Sequence, residues 1–166
     1  MARKLIVILV VLAALAALWF WVIRIPPPDE ILVKVMQGVE RVEEADVDLF
    51  FNHTTQSFRD RLPIPSDRRE CKVERQKLKN QVFTNGGSFR VSFREPEVIS
   101  ADGEKAQLGG MLGVDFDDNG VWGGVRFKEE WPVTVLMVFE DETWKIDGIE
   151  SAGFDEWLGG QSWTDY

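Results

Sequence analysis

The chain has 166 residues and a net charge of −9, from 28 acidic and 19 basic side chains, with one histidine and one cysteine. That length suits one domain, and the acidic balance offers no basic footprint for nucleic acid. Cys71 alone closes no internal disulfide, and with His53 as the single histidine no zinc site can be assembled. Neither a metal nor a cofactor is expected.

The first element is an apolar run of nineteen residues that opens at Leu5 and closes at Ile23, free of charge and of proline. As a helix it spans about 28 Å, close to the hydrocarbon thickness of a bilayer. Trp19, Phe20 and Trp21 stand near its end, where amphipathic rings favour the headgroups. Arg24 closes the span, and Pro26, Pro27 and Pro28 stop the helix. Small residues at Ala13, Ala14, Ala16 and Ala17 offer a cleavage site, but cutting there would leave an exposed apolar start, and the run exceeds a normal signal h-region. The segment therefore reads as an uncleaved signal anchor. Arg3 and Lys4 precede it, whereas Asp29 and Glu30 soon follow. The positive-inside rule then sets the N-terminus in the cytoplasm and the domain outside, in the periplasm if the host is Gram-negative. The expected organisation is an anchor at 1–24, a Pro-rich linker at 25–29, a domain at 30–152 and an aromatic, Gly-containing tail at 153–166.

Beyond the linker, Ile31, Val35, Val39 and Val42 recur at helical spacing from Asp29 into the forties. Val47, Leu49, Phe50, Phe51 and Phe58 continue the helical region, with a bend near Asp46. Leu62-Pro-Ile-Pro-Ser is a loop. Ser66 or Asp67 caps the next helix, which carries Cys71, Leu78 and Val82 on one side and ends at Asn85-Gly86-Gly87. The apolar side predicts a buried Cys71. Arg68, Lys72, Arg75 and Lys79 form one basic stripe on that helix. It faces anionic lipid or an acidic partner, unless it is an ordinary solvated surface.

From Ser88 the period becomes two. Phe89, Val91 and Phe93 share a face, as do Ala106, Leu108, Leu112, Val114 and Phe116 after a turn at Asp102-Gly103. Gly109, Gly110 and Gly113 would permit strong bending or a bulge in that second strand. Asp118-Asn119-Gly120 is the next turn. Val125, Phe127, Trp131, Val133, Val135, Met137 and Phe139 alternate along a long strand whose Pro132 marks an edge or bulge. Glu140-Asp141-Glu142 turns into a last strand with Trp144, Ile146 and Ile149. Helices followed by a meander make an α+β fold.

This order resembles the nuclear transport factor 2-like superfamily, with its SnoaL-like and cystatin-like α+β members. The stretches that carry the likeness are Val98-Ile-Ser-Ala-Asp-Gly-Glu-Lys-Ala-Gln-Leu and the closing hairpin, Val133 to Phe139 followed by an acidic turn and Trp144-Lys145-Ile146-Asp147. The resemblance implies N-terminal helices packed on a strongly curved antiparallel sheet, a cone cavity, and pairing of copies or partners through the sheet face. It implies that some relatives are isomerases or dehydratases that use a pocket carboxylate, sometimes with a histidine or tyrosine, and that many are non-catalytic.

Here Asp46 or Asp48 with His53 are the candidates for proton transfer. Asp46 and His53, seven apart on one helix, fall two turns along one face, in range of a water-bridged pair. The bland alternative leaves His53 at a helix end in solvent, and a lone histidine carries little information. Trp122, Phe127, Trp131 and Trp144 are candidates to line an apolar cavity for a small lipid-like ligand, although core packing is the more ordinary use of such rings. Asp115-Phe-Asp117-Asp-Asn119-Gly120 opens like a calcium loop, yet position twelve is Arg126 where the metal needs a glutamate. Asn52-His53-Thr54 matches the glycosylation triplet, which matters only in a eukaryotic lumenal protein.

The expected function is a non-enzymatic single-pass membrane protein whose exported domain mediates protein assembly in the envelope. Its layout resembles the anchored subunits of type IV secretion scaffolds and of mycobacterial lipid-import systems. A carrier of a small apolar ligand and a SnoaL-like isomerase or hydrolase are the alternatives.

Overall fold

The computed structural model describes residues 25–62, 64–121, 123–154 and 156. The apolar run from Leu5 to Ile23, Trp122 and tail residues 157–166 lie outside them. Among the described residues no helix is long and apolar enough to cross a membrane.

The fold is α+β. Helix α1 (Pro28–Val39), α2 (Val47–Asn52), α3 (Gln56–Arg59) and α4 (Arg68–Gln81) precede four strands: β1 (Ser88–Ala101), β2 (Lys105–Asp117), β3 (Arg126–Glu140) and β4 (Thr143–Glu150). The strands form an antiparallel meander in the order β1-β2-β3-β4. The pleat sends Leu108 and Leu112 of β2, Val133, Val135 and Met137 of β3, and Trp144 and Ile146 of β4 to one face. There they meet Ile31, Leu32 and Val35 of α1 and Phe58 of α3. Leu32, Val35 and Leu108 are wholly buried, and truncating one such side chain to alanine costs about 2–5 kcal/mol.

The first helix is shorter than its periodicity predicts. It ends at Val39, and a 3-10 turn at Val42–Glu44 follows. Between them Glu40 keeps a helical backbone and Arg41 turns extended: the Val91 amide donates to the Glu40 carbonyl at 2.9 Å, and Arg41 bridges Arg90 of β1. The backbone thus leaves the helix to satisfy a sheet edge. A matching contact forms at the opposite edge. There the Thr55 amide donates to the Ile146 carbonyl at 2.9 Å, and the Ile146 amide donates to the His53 carbonyl at 2.8 Å.

The expected bulge at the β2 glycines falls elsewhere. Strands β2 and β3 pair without interruption from Lys105↔Val138 to Asp117↔Arg126. The breaks lie in β1, between Arg94 and Glu97 and between Val98 and Ser100. The first stands opposite Gly110, where a side chain would collide with the Phe93 ring and with the Arg94 carbonyl. The glycine makes room for the neighbouring strand's ring, and the bulged strand is the one carrying Glu95, with φ 55°, and Pro96.

Hairpin β3–β4 closes through Asp141 and Glu142, both left-handed at φ 51° and 65°. Two such residues make the turn that matches strand twist, a place usually held by Asn-Gly. An L-residue there is strained by about 1–2 kcal/mol. Replacing Glu142→Gly is expected to raise unfolding stability by about 1 kcal/mol, after glycine's greater unfolded-state entropy is subtracted. The urea midpoint checks this, and an unchanged or lower midpoint at constant slope would contradict it.

Candidate functional site

The three candidate acid–base residues all lie on or beside α2. Asp46 is its N-cap: the carboxylate accepts a hydrogen bond from the Leu49 amide at 2.9 Å. His53 is its C-cap. The expected pairing of these two on one face is therefore corrected, because the helix is six residues long and they sit at its opposite ends. The His53 ring turns to β4, with Nδ1 donating to the Trp144 carbonyl at 3.1 Å and 3.2 Å from the Thr143 hydroxyl. It fastens a helix end to an edge strand.

Asp48 points to α4. Its carboxylate accepts from Lys72 Nζ at 2.6 Å and from Arg68 at 3.3 Å. The Lys72 hydrogen bond, with the charges of Lys72 and Arg68, holds the carboxyl below its ordinary value of 3.8. Arg68 also donates to Asn52 Oδ1 at 2.9 Å and lies over the Phe51 ring at 5.5 Å. Arg75 donates to the Ala45 carbonyl. Three of the four stripe residues thus face the protein's own chain, and Lys79 stands exposed beyond them. Arg68 and Lys72 keep 45 % of their side-chain surface exposed, so the stripe is partly ion-paired and partly solvated.

The same helix corrects the expectation for Cys71. No residue of α4 is fully buried. Cys71 is half-buried, and desolvation pushes its thiol up, away from reactive thiolate, against the opposing charge of Arg75.

The described aromatic candidates, Phe127, Trp131 and Trp144, each pack on a different ring. Trp144 is buried and meets Phe139 edge-on at 5.4 Å. Trp131 is half-buried under Phe154, with ring centroids 5.5 Å apart. Phe127 stacks on Phe116 at 5.3 Å, toward the other end of the sheet. One surface depression, of about 230 Å³, lies over Gly113 between Arg90, Ser92, Arg94, Lys128 and Glu130. Another, of about 690 Å³, lies beside the start of α4 at Pro65, Asp67 and Val73. Among the described residues, neither is lined by Asp46, Asp48, His53, Trp131 or Trp144.

The loop that opens like a calcium site is closed by its own cation. Arg126 pairs with Asp117, while the Asp117 carboxylate also accepts from the Asn119 amide at 2.8 Å. Those contacts hold its carboxyl low, the Asn119 amide contributing most. Among the described residues no group of metal-ligating side chains converges.

Two features escaped the periodicity. The first is a polar cluster at the β4 edge. Asp147 is the extra residue where β4 slips against β3, between Ile146 and Gly148. Its carboxylate accepts from the Thr55 hydroxyl at 2.7 Å and the Ser57 hydroxyl at 2.9 Å, and its carbonyl accepts from Arg61. Thr55 also caps α3 by accepting from the Phe58 amide at 3.1 Å. The Thr-x-x-Phe cap was visible in the chain, but its distant partner was not.

The second is the sheet face turned away from α1. At one end, charges pair across strands: Arg94 with Glu130 at 2.6 Å, Lys128 with Asp115 at 4.0 Å, and Arg126 with Asp117. At the other end the same face carries Met111, Pro132, Leu136 and Val138, with Ile99 leaning over Gly109 and 58 % exposed.

No protein-family model matches the chain, and no curated protein matches it. Among solved structures, the intermembrane space region of the chloroplast protein ARC6 is similar at a TM-score of 0.40 and 12 % identity, over 74 % of this chain and 91 % of that one.

Because Asp48 titrates lower in the folded state, its contribution is complete above about pH 4 and is lost as pH falls through its lowered folded value. Amide protection factors along α4 are expected to hold down to that pH and to fall below it. In Asp48→Asn the lower protection should already be present at neutral pH. Identical protection in both proteins at pH 7 would show that the ion pairs do not hold the helix.

Proposed function

We propose that this chain is a non-enzymatic, single-pass membrane protein whose extracytoplasmic domain assembles with protein partners in the cell envelope. The apolar run from Leu5 to Ile23 is its anchor in the inner membrane, with the N-terminus in the cytoplasm. The domain is a nuclear transport factor 2-like cone, in which the antiparallel sheet curves around α1 and the short helices.

The observation that carries this reading is the unequal use of the two sheet faces. One is filled by Leu32, Val35, Phe58 and Trp144. The other presents Ile99, Met111, Leu136 and Val138 beside a set of paired charges. An apolar strip rimmed by polar groups is the composition of a protein-binding patch. The candidate chemistry supports the same reading: Asp46 caps a helix, Asp48 is held by two cations and His53 is bonded to β4. Proton transfer wants a free acid–base pair facing a pocket. A membrane anchor also confines a domain to a surface, which suits assembly better than turnover of a diffusing metabolite.

Native mass spectrometry of the full chain, extracted from its own membrane in mild detergent, tests the proposal. Mass added in protein-sized steps is expected, and the double variant Ile99→Asp, Leu136→Asp should lose those steps while keeping its thermal midpoint within a few degrees. A chain that carries a reproducible small-molecule mass and no protein partner would overturn the assembly reading.

A further inference from the structure

The apolar strip on the outer sheet face stands at one end of the sheet, and that end is acidic. Strands β1 and β3 run out there into neighbouring turns, joined where the Phe139 amide donates to the Glu104 carbonyl at 2.8 Å. Residues 95–105 and 140–145 hold seven carboxylates against two lysines. Lys145 is already taken by Glu140 and Asp141. Among the described residues, the exposed carboxylates of Glu95, Glu97, Glu104 and Glu142 make neither an ion pair nor a hydrogen bond.

An irregularity of β1 turns the strip outward. The register slips between Val98 and Ser100, which leaves Ile99 as an extra residue on its strand. Neighbours on a regular strand face opposite sides, yet Val98 and Ile99 are both exposed. Ile99 leans over Gly109, on the face that carries Met111 and Leu136, and Glu97 pairs with that same glycine. An apolar centre with a charged rim is the anatomy of an interface, and the rim selects the partner by sign.

The sign separates the occupants. At the other end of this face Arg94, Lys128 and Arg126 are each paired with a carboxylate across the strands. A second copy laid face to face would therefore bring Arg90 as the one cation of that end without a partner among the described residues. An anionic lipid surface would be repelled outright.

We propose that this end of the sheet docks a basic partner protein, through a segment with a few apolar side chains bordered by lysines or arginines. The apolar side chains cover Ile99, Met111 and Leu136, and the cations meet Glu97 and Glu104. This rests on the assembly reading and adds to it the charge of the partner.

Native mass spectrometry of the full chain, extracted from its own membrane in mild detergent, tests that charge through matched variants. Glu97→Lys, Glu104→Lys changes the net charge as much as the control Glu44→Lys, Glu70→Lys, whose exposed sites lie among the helices. The unaltered chain and the control are expected to keep the same protein-sized added mass. The rim variant should keep at least about tenfold less of it, and Glu97→Gln, Glu104→Gln should fall between. Thermal midpoints within a few degrees of one another would report that the charge variants are folded. Equal retention in the rim variant and the control would overturn this inference, and assembly would still stand if Ile99→Asp, Leu136→Asp removes the mass. An added mass equal to that of the chain itself would overturn it as well, by naming a second copy. No protein-sized mass in any of these proteins would overturn both readings.

Discussion

Residues 40–55 are hydrogen-bonded to both outer strands, to β1 through Glu40 and to β4 through His53 and Thr55. Four strands set about 4.8 Å apart put those edges roughly 14 Å from one another along the sheet. The six residues of α2 extend about 9 Å. One short helix with its flanking extended steps therefore ties the two edges together. That closure holds Phe51 and Phe58 in the domain interior and fixes where α2 stands. The placement of Asp46, Asp48 and His53 follows from it.

The closure also explains why the capping groups are polar and precise. The start of α2 follows the 3-10 turn and its end passes into pairing with β4, so amides and carbonyls lack helical partners at both. Asp46 meets one such need and the Thr55 hydroxyl another at the start of α3. Arg59 serves the same joint: it donates to the Thr54 carbonyl and hydroxyl and lies over Phe51 at 4.8 Å. These residues resemble chemistry in composition, yet their geometry is that of joinery.

The strands were legible because alternation reports burial on a pleated surface, and β3 and β4 follow it nearly residue by residue. Turn chemistry at Asp102-Gly103 was legible for a similarly local reason. The end of α1 was not, because Val39 and Val42 keep a helical period across a break imposed by β1. The bulge was misplaced for a related cause. Glycines in β2 mark a close approach, but the strand that yields is β1, and only pairing reveals which partner gives way. For the candidate site, the sequence supplied the residue types and α2 supplied their separation. Seven positions apart reads as one helical face only if the helix runs through both residues.

Helix α4 depends on a different force from the rest of the domain. It buries no side chain fully and is joined to α2 by the Arg68, Lys72 and Asp48 charges and by Arg75 on a backbone carbonyl. The core behind it answers to temperature and denaturant, as apolar burial does. Exposed ion pairs answer to dissolved salt, since screening shortens their reach from about 30 Å at 0.01 M to about 8 Å at 0.15 M. Added salt would therefore loosen this helix, and weaken the cross-strand pairs of the outer sheet face, before it touched the apolar core. In effect the core is set by burial and the attachment of this outer helix by charge.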